Sequence, residues 1–371
     1  MAIDHTRDYV HSAAMVFPPE DLSRTTPAIF FTRWITHFCA PVFMFCAGLG
    51  AFLRLDRGGT RSDLLRFLWT RGVWLILLEI TVVRLGFFFN VKYDVIFLLV
   101  FWAIGVSLVA LAVLVRLPYK ALLAASIGLI ALHNTLDGVR AADLGSFAWV
   151  WNVLHQPGLL WAGPPTVVLG YPVIPWIGVM ALGYCAGRLY RLPSEQRRRW
   201  LFRLGLGLTV AFVAIRALNV YGDPRPWAAQ ATPMLTVISF LNCTKYPPSL
   251  TFLLMTLGPA LIFLGWADRV RPERHPLIVF GRVPLFFFVV HLPVIHAVAI
   301  AMTAARYGAA PFLWTPPPTL GTPLDVFPAG YGWGLWAVYG VWLLVATSLY
   351  PVCRWFAALK SRRREWWISY L

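Results

Sequence analysis

The chain is 371 residues long, 59% hydrophobic and only 13% charged, with a mean hydropathy of +0.67. An ordinary soluble domain carries about twice that share of charge and is excluded; continuous, non-alternating apolar runs likewise exclude a β-barrel. The net charge of +16 does not point to nucleic acid, because the basic residues sit in short clusters between apolar runs, where the positive-inside rule puts them.

About nine runs of roughly 16 to 25 residues are long enough to cross the hydrocarbon core as helices. Their expected limits are 30–53, 67–89, 94–115, 119–134, 170–187, 201–219, 250–267, 277–303 and 333–357. The basic stretches RLDRGGTRSDLLR, RLPYK, RLYRLPSEQRRRWLFR, ADRVRPER and KSRRRE then fall on one side and are expected to face the cytoplasm, as is the C-terminus. Residues 1–29 must lie outside, yet they carry no cleavable signal. MAIDHTRDYVH therefore reads as the end of a first helix that is truncated in this sequence. The expected architecture is all-α: a polytopic transmembrane helical bundle forming a single integral membrane domain over 1–371, set in the lipid bilayer.

Three outside loops, 135–169, 220–249 and 304–332, are long and aromatic, and loops of that length usually have a task. Trp149, Trp151, His155 and Trp161 stand in the first. Asp223 in YGDPRPW and Lys245 in TKYPPSL stand in the second and are candidates for holding a sugar. The competing reading of the tryptophans is an interfacial aromatic belt. The five cysteines are scattered, without metal-ligand spacing, and read as small buried hydrophobes. No P-loop, HExxH or GxSxG occurs, so neither a metal nor a redox cofactor is expected.

Ionisable residues inside the apolar runs carry the functional signal, since each costs about 2.5–3.5 kcal/mol or more when it faces lipid at the bilayer centre. Arg33 and His37 are four apart and share a helix face. Arg33 suits an anion or a snorkelling position, and His37 suits a moving proton. Asp4 precedes His5 and can raise its basicity, although neighbours on a helix point about 100° apart. Asp8 and His11 extend the same polar stripe. Arg282 stands near the cytoplasmic end of its span, where it can meet a phosphate or snorkel. His291 is close to mid-span beside Pro293, with His296 beyond. Glu79 is expected to be neutralised by Arg84. Two classes of function fit these residues: group transfer at a polar passage, or a proton-coupled transporter or permease using the same groups as a relay. The lack of internal repeats argues modestly against the second.

The strings DHTRDYVH, DLSRTTPAIFFTRWITHFCAPVFMFCAG, YPVIPWIGVMALGYCAG, KYPPSLTFLLMTLGP and GRVPLFFFVVHLPVIHA, with the ending WWISYL, resemble a bacterial membrane family related to the catalytic domain of heparan-α-glucosaminide N-acetyltransferase. The resemblance covers essentially the whole chain. It implies the transmembrane acyltransferase fold in a cytoplasmic (inner) membrane. It also implies transfer of an acyl group from cytosolic acetyl-CoA or another acyl-CoA to a sugar or glycan acceptor on the far side. By spacing, His5 resembles a polar position of that superfamily's first helix, whose Arg partner would fall before Met1. His11 is the nearest candidate for a loop histidine of the lysosomal enzyme, and His37 falls where that enzyme carries an Asp. GRVPL resembles a late helix start shared across the superfamily. On this reading His5, helped by Asp4, is the base, with His37, Arg33 and His291 lining the passage. Arg282, Arg57 and Arg61 would take the CoA phosphates, and a homo-oligomer remains open.

Overall fold

The computed structural model describes residues 1–269, 275–308, 314, 318–363 and 365. The basic loop 267–274, the outside loop 304–332 and the basic tail 360–365 therefore fall partly outside the described residues, and WWISYL wholly so. The helices in chain order are α1 Ala2–Val10, α2 Pro27–Trp34, α3 Cys39–Asp56, α4 Arg61–Leu78, α5 Arg84–Phe88, α6 Val100–Leu114, α7 Tyr119–Ala131 and α8 Ala148–Leu154. They continue with α9 Ile174–Ala186, α10 Ser194–Leu218, α11 Pro233–Leu241, α12 Leu250–Ala267, α13 Pro276–Arg282, α14 Pro284–Tyr307 and α15 Leu335–Arg362. Five described segments are long and apolar enough to cross a membrane: Pro27–Asp56, Ser194–Leu218, Leu250–Ala267, Pro284–Tyr307 and Leu335–Arg362. The fold is the expected all-α polytopic bundle, with one small sheet added.

The chain divides into two compact units, each discontinuous in sequence. One comprises Met1–Thr36, Thr81–Lys92 and Pro272–Leu371; the other comprises His37–Ile80 and Tyr93–Arg271.

In the second unit, helix pairs meet through glycine. A Cβ on Gly48 of α3 would stand 1.9 Å from the Met180 carbonyl oxygen of α9, and one on Gly183 would stand 2.1 Å from that of Phe45. Gly72 with Gly105 joins α4 to α6, and Gly205 with Gly258 joins α10 to α12, in the same way. Small residues at these crossings let backbones touch, the packing that replaces a hydrophobic drive inside lipid. The run 94–115 is not wholly helical: Val95–Leu98 form a strand, β1, before α6 begins. β1 pairs in parallel with β3 (Thr166–Leu169), which pairs antiparallel with β2 (Gly158–Trp161). A short apolar run flanked by polar residues does not distinguish strand from helix by periodicity.

Glu79 opens a π-helical turn, Glu79–Val83, beyond α4. The sequence reading had Arg84 neutralise it. Instead its carboxylate accepts the backbone N–H groups of Phe101 (2.6 Å) and Trp102 (3.0 Å) at the start of α6. Those amides have no partner within the helix, and the N-terminal dipole favours an anion there. Arg84, in the other unit, donates to the Asn90 side-chain oxygen at 2.9 Å and lies over the Phe88 ring.

In the first unit, α1 packs against α14 and α15. The chain after α1 is pinned by backbone hydrogen bonds, Ser12 N–H to the Trp333 carbonyl and Trp333 N–H to the Val10 carbonyl. Phe286 of α14 stacks on Phe356 of α15 at 4.2 Å. Pro293 inside α14 removes one backbone donor.

Candidate active site

The short helix α1 carries two different faces. Asp4, Arg7 and Asp8 form an ionic face, and His5 and Tyr9, one turn apart, form an aromatic one. On the ionic side Arg7 Nη2 lies 2.8 Å from Asp8 and 3.4 Å from Asp4. Arg33, from the last turn of α2, pairs with Asp4 through Nη1 and with Glu20 through Nε at 3.2 Å. Three carboxylates thus share two guanidiniums, all with side chains at most 20% exposed. A set so buried persists only because each charge has an opposite neighbour. Nε and Nη1 of Arg7 have no protein partner among the described residues.

Burial pushes the Glu20 carboxyl up, but Arg33 and then Arg7 outweigh it, and Glu20 sits below its ordinary value. The stabilisation from a depressed carboxylate is full above its unfolded pKa and is lost as pH falls through the folded one. Thermal scans of the wild type and Glu20→Gln should therefore differ at neutral pH and converge below the ordinary glutamate range. A gap between the two that stays constant down to strong acid would contradict this.

On the aromatic side two rungs join α1 to α14. The His5 and His291 ring centroids are 5.3 Å apart, and those of Tyr9 and His296 are 4.6 Å apart. Phe87 and Phe288 meet His5 edge-on. His291 is fully buried, and its Nδ1–H donates to the Phe287 carbonyl at 2.9 Å. Its Nε2 is therefore the unprotonated nitrogen, and among the described residues no protein donor reaches it. Nδ1 of His5 likewise has no protein partner among them. Tyr9 donates to the Phe87 carbonyl at 2.6 Å, and His296 Nδ1 lies 3.3 Å from that of Gly86. The lower rung thus carries free imidazole nitrogens, and the upper rung is tied into the fold. Two adjacent imidazoles with available nitrogens can take up a proton and pass it on.

The sequence model of the heparan-alpha-glucosaminide N-acetyltransferase catalytic family matches residues 18–222. The chain belongs to this family. No match is found among curated proteins. Membership of the heparan-alpha-glucosaminide N-acetyltransferase catalytic family, together with the five apolar helices, makes this a membrane protein of an acetyltransferase-like family. The matched stretch contains Glu20, Arg33 and His37, while Asp4, His5, His11 and His291 lie outside it.

The remaining sequence candidates are scattered. His11 caps the C-terminal end of α1 and is buried, with Nδ1 lacking a protein partner among the described residues. His37 lies in the 3-10 turn Ile35–Phe38 and belongs to the second unit, where its buried ring meets Phe252 at 5.3 Å. Arg282 is the exposed last residue of α13. In the second unit, the Asp223 carboxylate is spent inside the fold. It accepts hydrogen bonds from the backbone N–H groups of Arg225 and Thr244 and from the hydroxyls of Thr244, Ser249 and Thr251. Arg216, 3.8 Å away, donates to the carbonyls of Phe240, Arg225, Ser239 and Asn242. That pair braces the loop 220–249 and leaves Asp223 little capacity for a ligand. Lys245 is buried beside the Tyr246 ring and has no carboxylate partner among the described residues.

The sequence reading missed Arg7, Glu20 and Tyr9. Arg7 had a visible signal, its i,i+3 spacing from Asp4. Glu20 had none, because its partner Arg33 is thirteen residues away.

Proposed function

We propose that the protein is a membrane acyltransferase. It passes an acetyl or other acyl group from cytosolic acyl-CoA to a sugar or glycan on the non-cytoplasmic side of the cytoplasmic membrane, with its C-terminus inside. The observation that carries the reading is the His5–His291 pair beside a charge-paired arginine cluster, in a chain of an acetyltransferase family. His5 takes the proton from the acceptor hydroxyl or amine, and His291 Nε2 receives it or holds the ring of His5 in place. The acceptor oxygen or nitrogen bonds to the thioester carbonyl carbon, the carbon–sulfur bond breaks, and the CoA thiolate leaves and takes a proton. Arg7, with donors to spare, stabilises the developing oxyanion, while Arg33 positions Asp4 and through it α1. His11 is assigned to proton exchange with solvent, and Arg282 takes CoA phosphate. CoA is too polar to cross, so only the acyl group passes.

The test is protein in liposomes given radiolabelled acetyl-CoA on one face and a glucosaminide acceptor on the other. Label appearing on the acceptor supports the proposal. Acceptor flux that is independent of acyl-CoA, with no acyl-CoA bound, would select the permease.

A further inference from the structure

A second cluster of ligating side chains lies in the other unit, apart from the residues given roles in transfer. His133 stands in the 3-10 turn His133–Leu136 after α7, Asp137 follows that turn, and His155 caps the end of α8. Both histidines are buried, and the carboxylate of Asp137 is 20% exposed. His133 Nδ1 is 3.4 Å from His155 Nε2, which is 3.6 Å from Asp137 Oδ1. One ligand atom from each of the three residues lies within 4.8 Å of the others.

We propose that His133, Asp137 and His155 bind a divalent first-row metal ion, zinc foremost. Donors held at about 2.0–2.2 Å from zinc in a tetrahedron stand roughly 3.3–3.6 Å apart, which is the spacing of two of the contacts. Two imidazoles and one carboxylate are a donor set that leaves a fourth position for water or a substrate oxygen. The surroundings hold the ligands in place. Asn134 donates to Asp137 Oδ2 at 2.8 Å while its own oxygen accepts the Leu250 N–H at 2.8 Å. Trp151 stacks on the His155 ring at 5.2 Å. Such outer contacts orient metal ligands and tune their affinity.

Without the ion, the contact of 2.8 Å between His155 Nε2 and the His133 carbonyl is a hydrogen bond that needs a proton on Nε2. Metal binding takes the other tautomer of the neutral ring: Nε2 gives up its proton, Nδ1 carries one instead, and the Nε2 lone pair turns to the ion. The metal would clip the turn after α7 to the end of α8, closing the long outside loop between them. The sequence offered a partial signal, a His and an Asp spaced four apart, with the second His too distant to be counted with them.

The test uses full-length protein in detergent, stripped with chelator and then titrated with Zn2+, with bound metal measured by mass spectrometry. Co2+ replaces zinc in parallel so that its visible absorption reports nitrogen and oxygen ligation. The wild type should retain about one metal per chain after desalting, as expected of a three-ligand site, and should melt higher with zinc. Asp137→Asn, at the most exposed ligand, and His155→Gln should lose both effects. Asn134→Ala should weaken binding by about 10–100-fold while keeping every ligand. A folded wild type that holds no zinc and gives no Co2+ band overturns the proposal. So does unchanged binding in Asp137→Asn. Neither result bears on acyl transfer, which is measured separately.

Discussion

Replacing His5 with Ala is expected to cut acyl transfer by about 10²–10⁴-fold, the range for loss of a general base. The protein should still fold, because His5 is partly exposed and Nδ1 makes no hydrogen bond to protein among the described residues. His291→Ala should also lower the rate, but through a moved pH profile, since the two rings lie 5.3 Å apart. The double variant should be little worse than His5→Ala alone, because groups acting as a unit are not additive. Rates of transfer from acetyl-CoA between about pH 5 and 9, alongside acyl-CoA binding, check this. Undiminished kcat/KM in His5→Ala would remove His5 from the chemistry.

Arg33→Met should be the most destabilising single change at this site. It takes a guanidinium away from both Asp4 and Glu20, in a place where their side chains are 15% and 20% exposed. Stranding a buried partner in this way costs about 3–5 kcal/mol. Adding Asp4→Asn should restore part of the loss, because a neutral amide needs no counter-charge. Thermal unfolding in detergent measures both effects. A cost of only about 0.5 kcal/mol would mean that the cluster behaves as a solvated surface pair.

The helical membrane fold was legible because its signal is compositional. Long apolar runs and basic loops survive any detail of packing. The strand Val95–Leu98 was not legible, since an apolar run that begins a helix looks the same in one dimension. Among the site residues, His5 and His291 were each marked by the cost of a polar group in an apolar run. Their meeting was invisible, because 286 positions separate them (291 minus 5). Asp223 was read as a ligand for a sugar, but the hydroxyls and amides around it come from residues far along the chain, and they consume its oxygens. Glu79 shows the same limit: its partner was sought five residues away on its own helix, while the amides that satisfy it open α6. His37 shares a helical spacing with Arg33, yet the two residues belong to different compact units.

The touching backbones of α3 and α9 have a mechanical consequence. A slip of one residue along that contact would drive a side chain into a space where not even a methyl group fits. The two helices therefore cannot ratchet past each other and must travel together as a single strut. Any flexing within that unit has to be taken up by joints outside this pair.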